Sequence, residues 1–141
     1  MEKSQLHLGD GTARLKKKFR GRLTAAQVLA RYKDEDLPAF CSVDLTDVNQ
    51  KGLFDERPLD VAVCRGNLEE LYALLDGGAE VDGLGGLGNT ALHEATGQGH
   101  FDVVMVLLEF GARKDIQNEF GDTPLDIAAM HGRQDLIDLL K

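Results

Sequence analysis

The chain has 141 residues and a mass of 15.4 kDa, the usual size of one domain, which excludes an enzyme with separate cofactor and substrate lobes. Hydrophobic residues at 43% suffice for a core and charged residues at 28% are ordinary for a soluble protein, which excludes wholesale disorder. The net charge of −8 divides unevenly: residues 1–33 carry nine Lys or Arg against Glu2 and Asp10, and residues 34–141 carry seven against 22 acidic residues. A basic arm joined to an acidic body is expected. Cys41 and Cys64 form neither a disulfide framework nor a metal-binding pair, and no apolar run has the length of a signal peptide or a membrane span. A cytoplasmic protein without membrane contact is the expectation.

The arm, residues 1–23, concentrates its charge in Arg14, Lys16, Lys17, Lys18, Arg20 and Arg22, with Phe19 among them. Such a cluster suits phosphates, so nucleic acid is one candidate ligand. The alternatives are a solvated arm and an arm that lies on the acidic body, which needs no partner. Residues 24–47 read as a degenerate capping repeat. Thr24 with Gln27 has the capping-box pattern, and Ala26, Leu29, Ala30 and Tyr32 make a modest apolar stripe, so a helix over about 24–33 is predicted. It falls one 33-residue period before a short helix predicted at Pro58. Pro38 forbids a long second helix there, while Leu37, Phe40 and Val43 offer apolar cover. Thr46-Asp47-Val48-Asn49 leads into the next unit.

From residue 48 to 141 the chain repeats itself. Leu59, Leu92 and Leu125 stand 33 residues apart, as do Ala62, Ala95 and Ala128, and then Gly66, Gly99 and Gly132. The segments run Arg57-Pro58-Leu59-Asp60-Val61-Ala62, Thr90-Ala91-Leu92-His93-Glu94-Ala95 and Thr123-Pro124-Leu125-Asp126-Ile127-Ala128. Thr90 and Thr123 suit an N-cap, and Pro58 and Pro124 suit the first helical position. Each unit is therefore a short helix ended by Gly, then a second helix with an apolar face. Leu68, Leu71, Leu74 and Leu75 make that face in the first unit, and Val103, Val104, Leu107 and Leu108 in the second. Asn67 is read as the cap of a second helix, with Glu70 as its capping-box partner. A polar, Gly-containing finger connects the units.

The 33-residue period and the Thr-Pro-Leu-His-x-Ala pattern resemble ankyrin repeats over residues 48–141. Arg57 stands for the Thr, Ala91 for the Pro, and Asp60 and Asp126 for the His, departures expected to weaken local capping. The resemblance implies an all-α solenoid of about three stacked helix-turn-helix units with β-turn fingers. It also implies a concave face of fingers and first helices.

The remaining motifs lose to this frame. Gly83-Leu84-Gly85-Gly86-Leu87-Gly88 fits the dinucleotide-site spacing, but it lies in a finger without the strand and long helix that chemistry needs, and it reads as a flexible tip. His93-Glu94 lacks the second zinc ligand of a metalloprotease because residue 97 is Gly. Asp60, His93 and Asp126 hold equivalent positions that could form a carboxylate, imidazole, carboxylate row, but bonds to neighbouring backbone are the expectation. Cys64 and Cys41 have no base beside them. No catalytic residue, metal site or cofactor is expected.

The expected function is recognition of a protein, as adaptor or inhibitor. A role in neutralising a toxin or enzyme is a variant of it, and nucleic-acid association through the arm is the other class. By register, the side chains free for binding are Glu56, Arg57, Leu84, Leu87, Asn89, Glu94, Gln98, Glu119, Phe120, Ile127 and His131. Phe120 and Leu87 are the apolar anchors, and the acidic surroundings favour a basic partner. The last helix, ending at Lys141, has an uncapped flank, for which fraying in a monomer is expected and dimerisation is the alternative.

Overall fold

The computed structural model describes residues 12–37, 40, 45–52 and 55–141, where the regular structure is helical and no strand occurs. Helix α1 covers 12–19. Then come α2 (Ala25–Asp34), α3 (Pro58–Arg65), α4 (Leu68–Asp76), α5 (Ala91–Gln98), α6 (Phe101–Glu109), α7 (Pro124–Met130) and α8 (Gln134–Leu140). Residues 1–11 of the arm, and Pro38, Cys41 and Val43 of the predicted cap, lie outside the described residues.

The pairs α3–α4, α5–α6 and α7–α8 stack in order. The first helices pack as one row, α3 on α5 on α7, and the second helices as another, α4 on α6 on α8. The second and third units start by the same local chemistry, whereas Arg57 makes no side-chain cap on the first. Thr123 Oγ1 accepts the N–H of Asp126 while Asp126 Oδ2 accepts the N–H of Thr123 at 2.9 Å. In the unit before it, Thr90 accepts from the His93 N–H, and His93 Nδ1 accepts the Thr90 N–H at 3.0 Å. Asp in place of His thus leaves the cap reciprocal, contrary to the expected weakening. Gly66, Gly99 and Gly132 take φ of +65°, +77° and +67°, a backbone that a Cβ disfavours, and so turn the chain from first helix to second. Leu59, Leu92 and Leu125 hold the second position of α3, α5 and α7. Leu71, Leu74, Val104, Leu107 and Leu136 complete a continuous core.

The N-terminal segment covers the row of second helices. Helix α2 has the capping box that Thr24 and Gln27 predicted, with Thr24 Oγ1 accepting the Gln27 N–H and Gln27 Oε1 accepting the Thr24 N–H. Its buried side is Val28, Leu29 and Tyr32, whereas Ala26 and Ala30 of the predicted stripe are exposed. It packs against α4, although its register would set it level with the first helices. Fully buried Glu70 explains this placement. Asn67 Oδ1 caps α4 by accepting the Glu70 N–H, but the Glu70 carboxylate does not return to the cap as predicted. It turns to α2 instead, accepting Tyr32 Oη–H at 2.6 Å and Arg31 Nη1–H at 2.9 Å, with Arg65 Nη1 at 3.4 Å. Burial, and then the bond to Glu70, push the Tyr32 phenol far above its ordinary pKa and keep it a donor.

Helix α1 lies across the C-terminal ends of α4 and α6. Leu15 is buried, Lys16 Nζ pairs with Glu109, and the Arg20 guanidinium reaches Asp76 through two bonds of 2.6 and 3.0 Å. Arg20 also lies 5.3 Å from the Phe110 ring centroid and 6.0 Å from that of Tyr72. Cations are favoured there because the carbonyl ends of two helices point the same way. The described part of the arm folds onto the acidic body.

Candidate protein-binding face

The fingers are tied to one another by a ladder with the period of the repeats. Asn49 Oδ1 accepts the Glu80 N–H at 2.8 Å, and 33 residues on Asp82 Oδ1 accepts the Arg113 N–H at 2.9 Å. The Asn118 amide donates to Asn89 Oδ1, and the Glu119 N–H donates to the Leu87 carbonyl, each at 3.0 Å. Leu87 itself has φ of +62°, a left-handed backbone that costs an ordinary side chain roughly 1 to 2 kcal/mol. A leucine is therefore held at a strained fingertip by bonds to the next finger.

The glycine run in this finger serves a close approach. Arg57 Nη1 and Nη2 donate to the carbonyls of Glu80 and Gly83 at 3.3 and 2.9 Å. A Cβ at Gly83 would stand 1.7 Å from Arg57 Nη1, and one at Gly85 would stand 3.3 Å from Asp60 Oδ2. Two glycines of the run, Gly83 and Gly85, thus make room for the buried pair of Arg57 and Asp60. Arg57 is 3% exposed and leaves the list of side chains open to a partner, because it clamps the following finger. Its N–H also donates to Asp60 Oδ2 at 2.9 Å. In the next unit His93 does the equivalent work. Because Nδ1 accepts from Thr90, Nε2 carries the proton and donates to the Asp122 carbonyl at 2.8 Å. His93, Asp60 and Asp126 are all committed to backbone, as their register suggested.

The other predicted residues divide by exposure. Leu84, Leu87 and Phe120 are open at 49%, 55% and 70%, and Leu87 and Phe120 are one period apart on bonded fingers. Glu119, Gln98 and His131 are exposed; Glu56, Asn89, Glu94 and Ile127 are half-buried. Asn89 spends its Oδ1 on the finger ladder, and Gln98 Nε2 donates to Cys64 Sγ at 3.2 Å. Sequence reasoning missed Met130, which is 64% exposed at the end of α7. The period could have found it, since Cys64, Gly97 and Met130 are equivalent positions.

At the first-repeat end of this face, three carboxyl groups crowd one cation. Glu56 Oε2, Asp60 Oδ1 and Glu94 Oε1 are buried atoms without a hydrogen bond, and Arg57 Nη2 comes no closer than 3.7 Å to Asp60 Oδ1. Burial, reinforced by the Asp60 charge and opposed by Arg57, pushes the Glu94 carboxyl up to about 8. Burial likewise raises Asp60, despite its bonds to Arg57, and the Cys64 thiol, which is not an activated thiolate. Among the described residues no group of three or more His, Cys, Asp or Glu is arranged to hold a metal ion, and no helix is long and apolar enough to cross a membrane.

The nucleic-acid candidates split as well. Arg14, Lys17, Lys18 and Arg22 are exposed, while Lys16 and Arg20 are held by Glu109 and Asp76. Among known proteins, a family model for ankyrin repeats in three copies matches residues 59–141. No curated protein matches the chain.

Proposed function

The chain belongs to the ankyrin-repeat family, whose repeats are protein-interaction modules, and from this premise we propose that it acts as a non-enzymatic adaptor or inhibitor. The partner is a protein seated on the fingers and the accessible side of the first helices. The observation that carries this reading is the pair Leu87 and Phe120. Each is a large apolar side chain kept in water on a finger whose backbone is bonded to its neighbour, and Leu87 bears strain as well. Strain and exposure together are costs that folding alone does not require. The exposed Glu119 next to Phe120, and the net charge of −8, favour a basic partner and speed its arrival. A partner held in this way can be scaffolded or silenced, so blocking a toxin or enzyme falls within the same reading. Nucleic acid is the weaker assignment because Lys16 and Arg20 are spent on the protein's own carboxylates.

Affinity capture with the full chain tests the proposal. Phe120→Ala should weaken binding of the captured protein by roughly tenfold or more while thermal unfolding is unchanged, as for an apolar anchor ringed by polar groups. A Lys17→Ala variant should bind as the parent does. Loss of the partner in Lys17→Ala with retention in Phe120→Ala would move the interface to the arm.

A further inference from the structure

Helix α1 has two sides of unlike commitment. The side toward the body is spent: Thr12 and Leu15 are buried, Phe19 packs on the core, and Lys16 and Arg20 hold Glu109 and Asp76. The opposite side carries Arg14, Lys17 and Lys18, all exposed. Lys17 and Lys18 follow Arg14 by three and four residues, so each Cβ stands about 5 to 6 Å from that of Arg14 on one face of the helix. Arg22 joins them from the turn beyond α1, where its Nε donates to the Lys18 carbonyl at 3.1 Å. Among the described residues none of these four cations pairs with a carboxylate, in a chain whose net charge is −8. The carboxylates beneath the helix, Glu109 and Asp76, are already met by Lys16 and Arg20, so the outward charges keep their field.

We propose that this outward face of α1 binds the phosphate backbone of a nucleic-acid duplex, as a second docking surface separate from the fingers. Charge complementarity carries the assignment. Each strand of a duplex offers one phosphate per about 3.4 Å of axis, so several fall within reach of the four cations at once. Such contacts read charge and not bases. Two other anionic surfaces fit less well. A helix that lies on a membrane buries large apolar side chains there, whereas Leu15 and Phe19 face the protein. A single strand is gripped by exposed rings on which its bases stack, and Phe19, the one aromatic residue of α1, is packed on the core. Losing Lys16 and Arg20 to the body narrows the site to four cations, and those same two residues fix the helix that presents them, which lowers the entropy lost on binding. The chain would thereby join a finger-bound protein to nucleic acid, a role that goes beyond the reading above and does not depend on it.

Fluorescence anisotropy of a labelled DNA duplex, titrated with the full chain, provides the test. Binding should be saturable at about 50 mM salt and weaken roughly a hundredfold by about 200 mM, as for about four phosphates that shed their counterions. Lys17→Ala should weaken binding severalfold and lower the slope of log K against log salt by about one, and Arg14→Ala with Lys18→Ala should lower it by about two. Lys51→Ala, which removes an exposed charge away from α1, should keep the parent's slope. Unchanged thermal unfolding excludes a folding defect in each variant. No saturable binding at the lower salt, a slope that Lys17→Ala leaves unaltered, or an equal drop in Lys51→Ala would overturn the assignment. So would tighter binding of a polyglutamate peptide, or of vesicles containing phosphatidylserine, than of the duplex at equal charge. The finger-bound partner is tested by Phe120→Ala in capture, so the two readings fail separately.

Discussion

Glu94 shows how a single side chain reports the character of its surroundings. A carboxyl group whose pKa rises to about 8 on folding binds its proton more tightly in the folded state than in the unfolded one. Its contribution to stability is therefore complete below about pH 4.5 and declines as pH rises through about 8. Asp60, raised in the same direction, adds to the slope. The melting temperature should fall between pH 5 and pH 9, and Glu94→Gln should flatten that fall and melt higher than the parent at pH 9. A variant with the parent's slope would mean that Glu94 is ionised and well solvated in the folded protein. The same scale exposes the limits of motif reading. Glu70 and Arg57 sit at positions where local spacing assigns a capping box and a binding contact, but each bonds to a residue 23 to 39 positions away. Local spacing is silent about such partners.

Helices, by contrast, were largely legible. Their starts are encoded within four residues, as at Thr24 with Gln27, Thr90 with His93 and Thr123 with Asp126, and their ends in a glycine that tolerates positive φ. Stacking then follows from the period, since each second helix has apolar residues that only a neighbour can cover. What the period could not supply is the placement of α2. A helix at the register of α3 was expected, and burial of Tyr32 on Glu70, with Arg31 paired to the same carboxylate, set it on α4 instead. Of the face itself, Leu84, Leu87 and Phe120 were readable as surplus to the stack, whereas Met130 was overlooked because its equivalents, Cys64 and Gly97, are small. Leu107 tests the stacking directly. It is fully buried on α6, between α4 and α8, so Leu107→Ala should cost roughly 2 to 5 kcal/mol in urea unfolding. A loss under about 1 kcal/mol would place it outside the core.

Across the molecule, a stack of repeats is held by contacts between neighbours, yet this one has a brace that skips the order of the chain. Lys16 meets Glu109 and Arg20 meets Asp76, so α1 bridges the second helices of the first two repeats. Exposed ion pairs are individually weak, and the strength of this brace lies in the forked geometry of Arg20 between Asp76 and the rings of Tyr72 and Phe110. Arg20→Ala should lower stability by about 1 kcal/mol, and Arg20→Lys should recover less than half of that, as measured by urea unfolding at low and high salt. A lysine variant equal to the parent would show that charge alone suffices. Because α1 lies sidelong over two layers, tension applied at its end peels the contacts one after another, like tape lifted from a surface. Both ion pairs of the brace fall on the first two repeats, which leaves the second helix of the third to its packing against α6 and α7.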